Sequence, residues 1–322
     1  MTIKRLLATL ALTLLCATVV AAQEFKLADS KIFRPQSKKV LLLKDATDAS
    51  GERKIILFQT NLRVNTDGSP LSYHPQDPRG RTKALNNICN GIAVRRTGSN
   101  KNLCFSAFGE AIRVFERWRD TNFQTVPAGF RITWQNVFAA VRENGKDVPC
   151  TFKTGEFEGY FGSLTALKND LTTNKGECQV NDQVNSMTVP ALVLAGGDHP
   201  VKEFGARVGD LLVAFNPRTQ LFTTAIIGDS GPPNNLGEGS VSLNMKLLGT
   251  TTPPTNQAET FRLSIGNDVL IAIIPGSRLF REAKPYTADN INQRIDDWRT
   301  EAGFTSLEKL IEVMKSFQPR LN

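Results

Sequence analysis

The stretch that most constrains this chain is residues 221–240, Leu-Phe-Thr-Thr-Ala-Ile-Ile-Gly-Asp-Ser-Gly-Pro-Pro-Asn-Asn-Leu-Gly-Glu-Gly-Ser. Its apolar, β-branched first half predicts a strand, and its Gly, Pro and Asn residues predict a loop. Asp229 lies where the predicted strand stops and Glu238 where the loop ends, nine residues later. Two such acids can face each other across a cleft, as glycoside hydrolysis by paired carboxyl groups requires. The alternative is a turn aspartate, since Asp commonly caps backbone N–H groups after strands.

The first 22 residues predict a cleaved signal peptide and hence an exported protein, periplasmic or extracellular. Lys4 and Arg5 form a positive start, an apolar run follows to Val20, and Ala21-Ala22 is typical of a cleavage site. The apolar run is shorter than the roughly 20 residues needed to span a bilayer. No later segment is apolar enough to span one. The mature chain is therefore predicted to have no integral membrane segment.

Four cysteines follow the predicted signal peptide: Cys89, Cys104, Cys150 and Cys178. An even number in an exported chain predicts two disulfides. Three pairings are open, and Cys89–Cys104 with Cys150–Cys178 is favoured because both bonds close short loops. No CxxC motif or His/Cys cluster is present, so no metal site is predicted.

The chain carries a formal net charge of +8, which falls to +6 without Lys4 and Arg5. Its basic residues are scattered, and no arginine-rich helix with interleaved aromatic residues argues for a nucleic-acid partner. The positive charge suits an anionic partner or simply keeps the protein soluble. We expect a monomer with a polysaccharide partner.

The rest of the chain predicts a mainly β domain with added helices. Residues 23–54 predict an irregular N-terminal arm, residues 55–285 a catalytic domain, and residues 286–322 a C-terminal extension of two helices. Residues 259–265 and 269–274 predict a final hairpin turning at 266–268. Trp118 and Trp134 are either core residues or sugar-stacking platforms.

Several motifs, in order along residues 55–278, resemble the chitosanases of glycoside hydrolase family 75. The similar motifs are Asp67-Gly-Ser-Pro70, Tyr73-His-Pro75, Gly159-Tyr-Phe-Gly-Ser-Leu-Thr-Ala-Leu167, Gly228-Asp-Ser-Gly-Pro232, Leu236-Gly-Glu-Gly-Ser240 and Ile274-Pro-Gly-Ser277. The sequence departs from the family pattern at Asn65, where an acid is expected, and it lacks an aromatic, glycine-rich stretch after Tyr73-His-Pro75. The C-terminal helices lie outside the resemblance.

The resemblance implies a β-barrel core, possibly of the double-psi type, and an inverting endo-hydrolase acting on β-1,4-linked glucosamine polymers. It assigns Glu238 as general acid and Asp229 as general base, with their carboxyl groups about 6.5–9.5 Å apart to admit a water molecule. Such hydrolysis needs no cofactor. As a hypothesis, the substrate-binding residues of the cleft are Asp67, Tyr73, Tyr160, Ser163 and Thr165. Chitosan is a polycation and the chain is basic, so long-range electrostatics do not favour this polymer.

Three other interpretations remain. The same mechanism could act on peptidoglycan or another envelope glycan, or the protein could bind carbohydrate without catalysis. Residues 228–232 also resemble the trypsin-type Gly-Asp-Ser-Gly-Gly-Pro motif with one glycine missing, which would make Ser230 a protease nucleophile. That mechanism needs a histidine base, and His74 and His199 both lie beside prolines in predicted loops.

Overall fold

The structure is a computed structural model that describes residues 24–169, 178–180 and 182–322. The predicted signal peptide lies outside these residues. The strands are β1 Phe25–Phe33, β2 Lys38–Asp45, β3 Lys54–Asn65, β4 Ala93–Arg96, β5 Phe130–Thr133, β6 Ala140–Glu143, β7 Lys146–Pro149, β8 Ala191–Ala195, β9 Leu211–Asn216, β10 Leu221–Gly231, β11 Glu238–Ser240 and β12 Ile265–Ile273. The α-helices are α1 Leu103–Ser106, α2 Phe108–Arg119, α3 Pro200–Glu203, α4 Val241–Leu248, α5 Gln257–Arg262, α6 Ala288–Glu301 and α7 Leu307–Phe317.

Six strands form a closed barrel in the order β3-β11-β8-β10-β9-β12, and β12 pairs back onto β3. The pairs β3–β11 and β8–β10 are parallel, whereas the other four pairs around the barrel are antiparallel. These strands are rich in Val, Ile and Leu, which suit a pleated surface with burial on both faces. The predicted β-barrel core is confirmed.

The predicted irregular N-terminal arm is wrong. Its residues form β1 and β2, an antiparallel pair that extends the sheet beyond the first part of β3. The residues between Phe25 and Phe33 are all exposed, so no periodic apolar pattern marks this strand in the sequence. Backbone pairing with β2 along its length and the buried rings of Phe25 and Phe33 at its two ends hold this edge strand in place.

The predicted final hairpin is also wrong. Residues 257–262 form α5, whose start is capped by the Asn256 side chain accepting from the backbone N–H of Glu259. A single strand, β12, then runs through the predicted turn at residues 266–268. Its pairing with β3 is interrupted between Ile265 and Val269, so the turn-forming residues mark an irregularity within one strand.

Alternate side chains of the barrel strands divide between two buried clusters. One includes Val213, Ile226 and Leu270 together with residues of α6 and α7; the other includes Leu212 and Ile227 together with residues of α4. The two predicted C-terminal helices are therefore present, and they pack against the barrel. Thr287 caps α6 by accepting from the Asn290 backbone N–H, as its position predicts.

The chain between β3 and β8 builds a side lobe with its own aromatic core. This cluster contains Tyr73, Phe115, Phe138 and Phe161, and it also buries Trp118 and Trp134. The core interpretation of both tryptophans is therefore confirmed. The lobe also contains the disulfides Cys89–Cys104 and Cys150–Cys178, which is the favoured pairing and fits an exported protein. Among the described helices, none is long and apolar enough to cross a membrane.

Candidate active site

A cavity of about 730 Å³ lies where the barrel meets the side lobe. The barrel contributes Val193, Asp229 and Glu238, and the lobe side contributes residues that follow β3 or precede β8. The described residues that line it are Asn65, Asp67, Asn90, Asn136, Val137, Leu164, Thr165, Ala166, Lys168, Val193, Asp229, Ser230, Gly231, Pro232 and Glu238. Both acids of the strand–loop stretch therefore border one cavity.

Asp229 lies within β10, which continues to Gly231 and does not stop at the aspartate as the sequence pattern predicts. A bulge at Gly228 shifts the register, so that Ile227 pairs with Leu192 and Asp229 pairs with Val193. A Cβ atom at Gly228 would lie 2.9 Å from the Cβ of Ala191, which explains why a glycine occupies the bulge. Bulges of this kind change the direction of a side chain, and this one puts the Asp229 side chain on the same face of the sheet as the Val193 side chain.

The Asp229 carboxyl group is held by the backbone of two segments. Its Oδ1 accepts from the N–H of Ala166 and from the N–H of Ser230, each at 2.8 Å. Burial raises the pKa of Asp229, and the nearby charge of Glu238 raises it further, while the two backbone hydrogen bonds oppose the shift. The carboxyl is thus fixed in position, and burial favours its neutral form.

Glu238 opens the short strand β11, between β3 and β8. Its Oε1 accepts from Asn235 Nδ2 at 2.7 Å, and its Oε2 accepts from Asn65 Nδ2 at 3.3 Å. Each oxygen therefore has one amide donor, an arrangement that suits a carboxylate. Glu238 also pairs with Val193, from the opposite side to Asp229.

The register gives the separation of the two acids. Asp229, Val193 and Glu238 are neighbours across three adjacent strands, so their side chains emerge on one face. Two strand spacings separate the Cα atoms of Asp229 and Glu238 by about 9–10 Å. This Cα separation is compatible with two cavity-lining carboxyl groups that have a water molecule between them.

Asp67 is a third carboxyl group of the cavity, positioned by the turn after β3. Its Oδ1 accepts from the Tyr73 hydroxyl at 2.7 Å and from the Ser163 hydroxyl at 3.4 Å. Burial raises the pKa of Asp67 to about 7; the charges of Asp229 and Glu238 contribute to the rise, and the two hydroxyl donors oppose it.

The other predicted binding residues have different positions. Thr165 lines the cavity, but its hydroxyl donates to the carbonyl of Leu167 and accepts from the N–H of Val184. Tyr73 and Ser163 are buried beneath Asp67 and do not line the cavity.

Tyr160, the remaining predicted binding residue, does not line this cavity. Its ring contacts His74 edge-on and its hydroxyl donates to the carbonyl of Lys83. The Gly-rich segment around Tyr160 turns at Gly159, which has φ +85°, and its strand bridges pair Phe161 and Ser163 with other lobe residues.

Sequence reasoning missed the amides of the site. Asn65, Asn90 and Asn136 line the cavity, and Asn235 supports Glu238 from the loop before β11. Asparagine in loops predicts turns, which hides its role as a donor. One signal of this role was present in the sequence, because Asn65 occupies a position where the family pattern has an acid. The Asn65 amide donates to Glu238, whereas an acid at this position would repel the Glu238 carboxylate.

The cavity is locally acidic although the chain is basic. Its described lining contains three carboxyl groups and one cationic side chain, Lys168, and it contains no aromatic side chain. The described lining therefore offers charged and hydrogen-bonding groups to a ligand. Within the residues that the structure describes, no group of three or more His, Cys, Asp or Glu side chains could hold a metal ion.

The protease interpretation lacks its base. Ser230 lines the cavity, but neither histidine does. His74 Nδ1 accepts from the N–H of Gln76, and His199 Nε2 bonds to the carbonyl of Ala195. A serine nucleophile needs a histidine within hydrogen-bond reach. Ser230 therefore has no catalytic partner of that kind.

No known family model matches this sequence, and no curated protein matches it significantly.

Proposed function

We propose that this protein is an endo-acting, inverting glycoside hydrolase that cleaves β-1,4-linked glucosamine polymers. The observation that supports it is the pairing of Asp229 and Glu238 with the same residue, Val193, at the wall of one cavity. Side chains that start about two strand spacings apart on one face of a sheet can hold their carboxyl groups at the separation of inverting enzymes. One protonates the glycosidic oxygen, and the other removes a proton from the water that attacks the anomeric carbon.

The resemblance assigns the acid to Glu238 and the base to Asp229, and we adopt these roles. Burial raises the pKa of Asp229, which disfavours the charged form that a general base needs. The two role assignments are distinguishable by experiment.

The described lining offers hydrogen-bond acceptors to a cationic polymer. Its three carboxyl groups face one lysine, and carboxyl oxygens can accept hydrogen bonds from the ammonium groups of glucosamine units. The net positive charge of the whole chain acts at longer range and is screened by salt within roughly 8 Å at physiological ionic strength. Hydrogen bonding inside the cleft therefore does not depend on the charge of the whole chain.

The test is reducing-end release from chitosan, chitin and peptidoglycan by the purified protein from Gln23 onward, beside Glu238→Gln and Asp229→Asn. Activity on chitosan that both variants lose supports the proposal. Activity only on peptidoglycan would retain the mechanism and change the substrate. Binding that persists without any hydrolysis would make this a carbohydrate-binding protein.

Roles are assigned with glucosamine oligomers carrying a dinitrophenyl leaving group, which needs no protonation. The variant of the general acid keeps activity on this substrate, whereas the variant of the base loses it and is rescued by azide. We expect Glu238→Gln to behave as the acid variant. The reverse result would exchange the two roles.

A further inference from the structure

Asp67 is bound in a way that differs from the other two carboxyl groups of the cavity. Asp229 accepts from backbone N–H groups and Glu238 from side-chain amides, whereas Asp67 accepts only hydroxyl donors among its recorded hydrogen bonds. It lies at the turn after β3 and faces the same cavity. Hydrolysis by two carboxyl groups does not require a third acid. The role of Asp67 is therefore inferred from the groups that contact it.

Each of the two hydroxyl oxygens accepts a hydrogen bond from another group, which leaves its own proton to be donated to Asp67. Asn90 Nδ2 donates to the Tyr73 oxygen at 2.9 Å, so the Tyr73 proton is free to point at Asp67. The Gly68 N–H donates to Ser163 Oγ at 3.2 Å, which leaves the Ser163 proton for the same carboxyl. Both donors reach Oδ1, so a proton on this carboxyl belongs on Oδ2.

The charges facing Asp67 oppose its ionisation. Asp229 faces it from β10 and Glu238 from β11, and both raise its pKa. Lys168 is the cation of the described lining, and the Tyr73 hydroxyl is the titratable group behind the carboxyl. Burial is the largest cause of the shift, since Tyr73 is fully buried and shields one side of Asp67. Together these groups favour the neutral form of Asp67 below about pH 7.

We propose that Asp67 works in its neutral form, as a carboxylic acid that donates a hydrogen bond from Oδ2 into the cavity, to a hydroxyl oxygen of the sugar bound beside Asp229 and Glu238. The chain Asn90–Tyr73–Asp67 orients this donor, and Asn90 itself lines the cavity. The identity of the ligand as a sugar rests on the proposed function. The protonation of Asp67 is independent of the proposed function.

Asparagine is the matched substitution because it reproduces the neutral acid. In Asp67→Asn the amide oxygen still accepts from Tyr73 and Ser163, and the amide N–H₂ replaces the Oδ2 proton as donor. We expect kcat/KM of this variant to stay within about threefold of the unmodified protein near pH 5.5, and Asp67→Ala to lose about tenfold or more. Asp147→Asn on the exposed β6–β7 hairpin is the control. An Asn variant as impaired as the Ala variant would show that the charged form is needed, and would overturn the proposal.

The protonation is measured without any substrate, by carbon-13 NMR of aspartate carboxyl groups. We expect one signal with a midpoint near pH 7, absent from Asp67→Asn, and a higher midpoint in Tyr73→Phe because the hydroxyl donor lowers the pKa. If no Asp67 signal titrates between about pH 6 and pH 8, the proposal fails whatever the enzyme assay shows. If it titrates and no glycan is cleaved, the neutral donor stands and the proposed hydrolase function fails.

Discussion

Asp229 and Glu238 have the same register partner, Val193, on the two sides of strand β8. Asp229 reaches this position through the bulge at Gly228, and Glu238 reaches it because β11 inserts between β3 and β8. The pair is therefore held by the backbone ladder of three strands. Two carboxyl groups carried on hydrogen-bonded strands have a more restricted separation than two carboxyl groups carried on loops.

The first prediction concerns the paired acids. We expect Glu238→Gln and Asp229→Asn each to lower kcat on polymeric substrate by about 10²–10⁴-fold, the usual contribution of a positioned acid or base. Proton NMR of the fresh product should show inversion at the anomeric carbon. Unchanged far-ultraviolet circular dichroism controls for folding. A retained configuration would contradict the assignment of the site as inverting.

The second prediction concerns Asn235, which donates to Glu238 Oε1 at 2.7 Å. Asn235→Asp replaces this donor by a second carboxylate and so disfavours the charged form of Glu238. With Glu238 as the acid, we expect the alkaline limb of the pH–rate profile to move to higher pH. Asn235→Ala removes the donor without adding charge and should produce a smaller shift. An unmoved profile in both variants would indicate that Glu238 does not determine that limb.

The third prediction links Asp67 to stability. Its pKa is raised from 3.8 to about 7 on folding, so the unfolded chain releases this proton at lower pH than the folded protein. Rising pH between about 4 and 7 therefore favours unfolding, and the associated stability is lost by the time pH exceeds 7. Asp67→Asn has no such titration. We expect its Tm to exceed that of the unmodified protein by a margin that grows from pH 4 to pH 7 and then stays constant. A margin independent of pH would contradict the shift.

The fourth prediction concerns Gly237, the residue before Glu238. A Cβ atom there would lie 2.0 Å from the backbone oxygen of Asn61, which cannot move without disturbing β3. We expect Gly237→Ala to destabilise the protein by about 1–3 kcal/mol in urea unfolding, and to impair catalysis by displacing Glu238. Gly266→Ala is the matched control, because nothing lies within 4 Å of a Cβ at that position. Equal effects of the two substitutions would contradict the steric explanation.

The fifth prediction concerns the disulfides of the side lobe. Replacing both cysteines of Cys89–Cys104 or of Cys150–Cys178 by serine opens loops with sequence separations of 15 and 28. Loop-closure entropy predicts losses of about 3 and 3.5 kcal/mol in the free energy of unfolding. Thr151, next to Cys150, bridges Phe161 in the segment that leads to Ala166, the donor to Asp229, so replacing Cys150 and Cys178 should also reduce activity. Stability unaffected by either replacement would contradict a structural role.

Local sequence patterns predicted much of the fold. Runs of Val, Ile and Leu form β3, β8, β9 and β10, Thr287 caps the start of α6, and Gly249 ends α4 in a left-handed conformation. These signals succeed because propensity and capping act over a few residues. They failed for β1, which is exposed on both faces, and for residues 257–262, where Asn256 caps a helix within an apparent strand.

Some features of the candidate site can also be read from the sequence, whereas others depend on the fold. The amino-acid sequence shows which acids are available and that Asp229 and Glu238 are close along the chain. The folded chain places both acids beside Val193 and adds Asp67 from a turn 162 residues before Asp229, but it does not add Tyr160. It also gave Glu238 its two amide donors and Asp67 its hydroxyl donors. The physical reason is that register, burial and the direction of a hydrogen bond depend on strands far apart in sequence, and no local pattern encodes them.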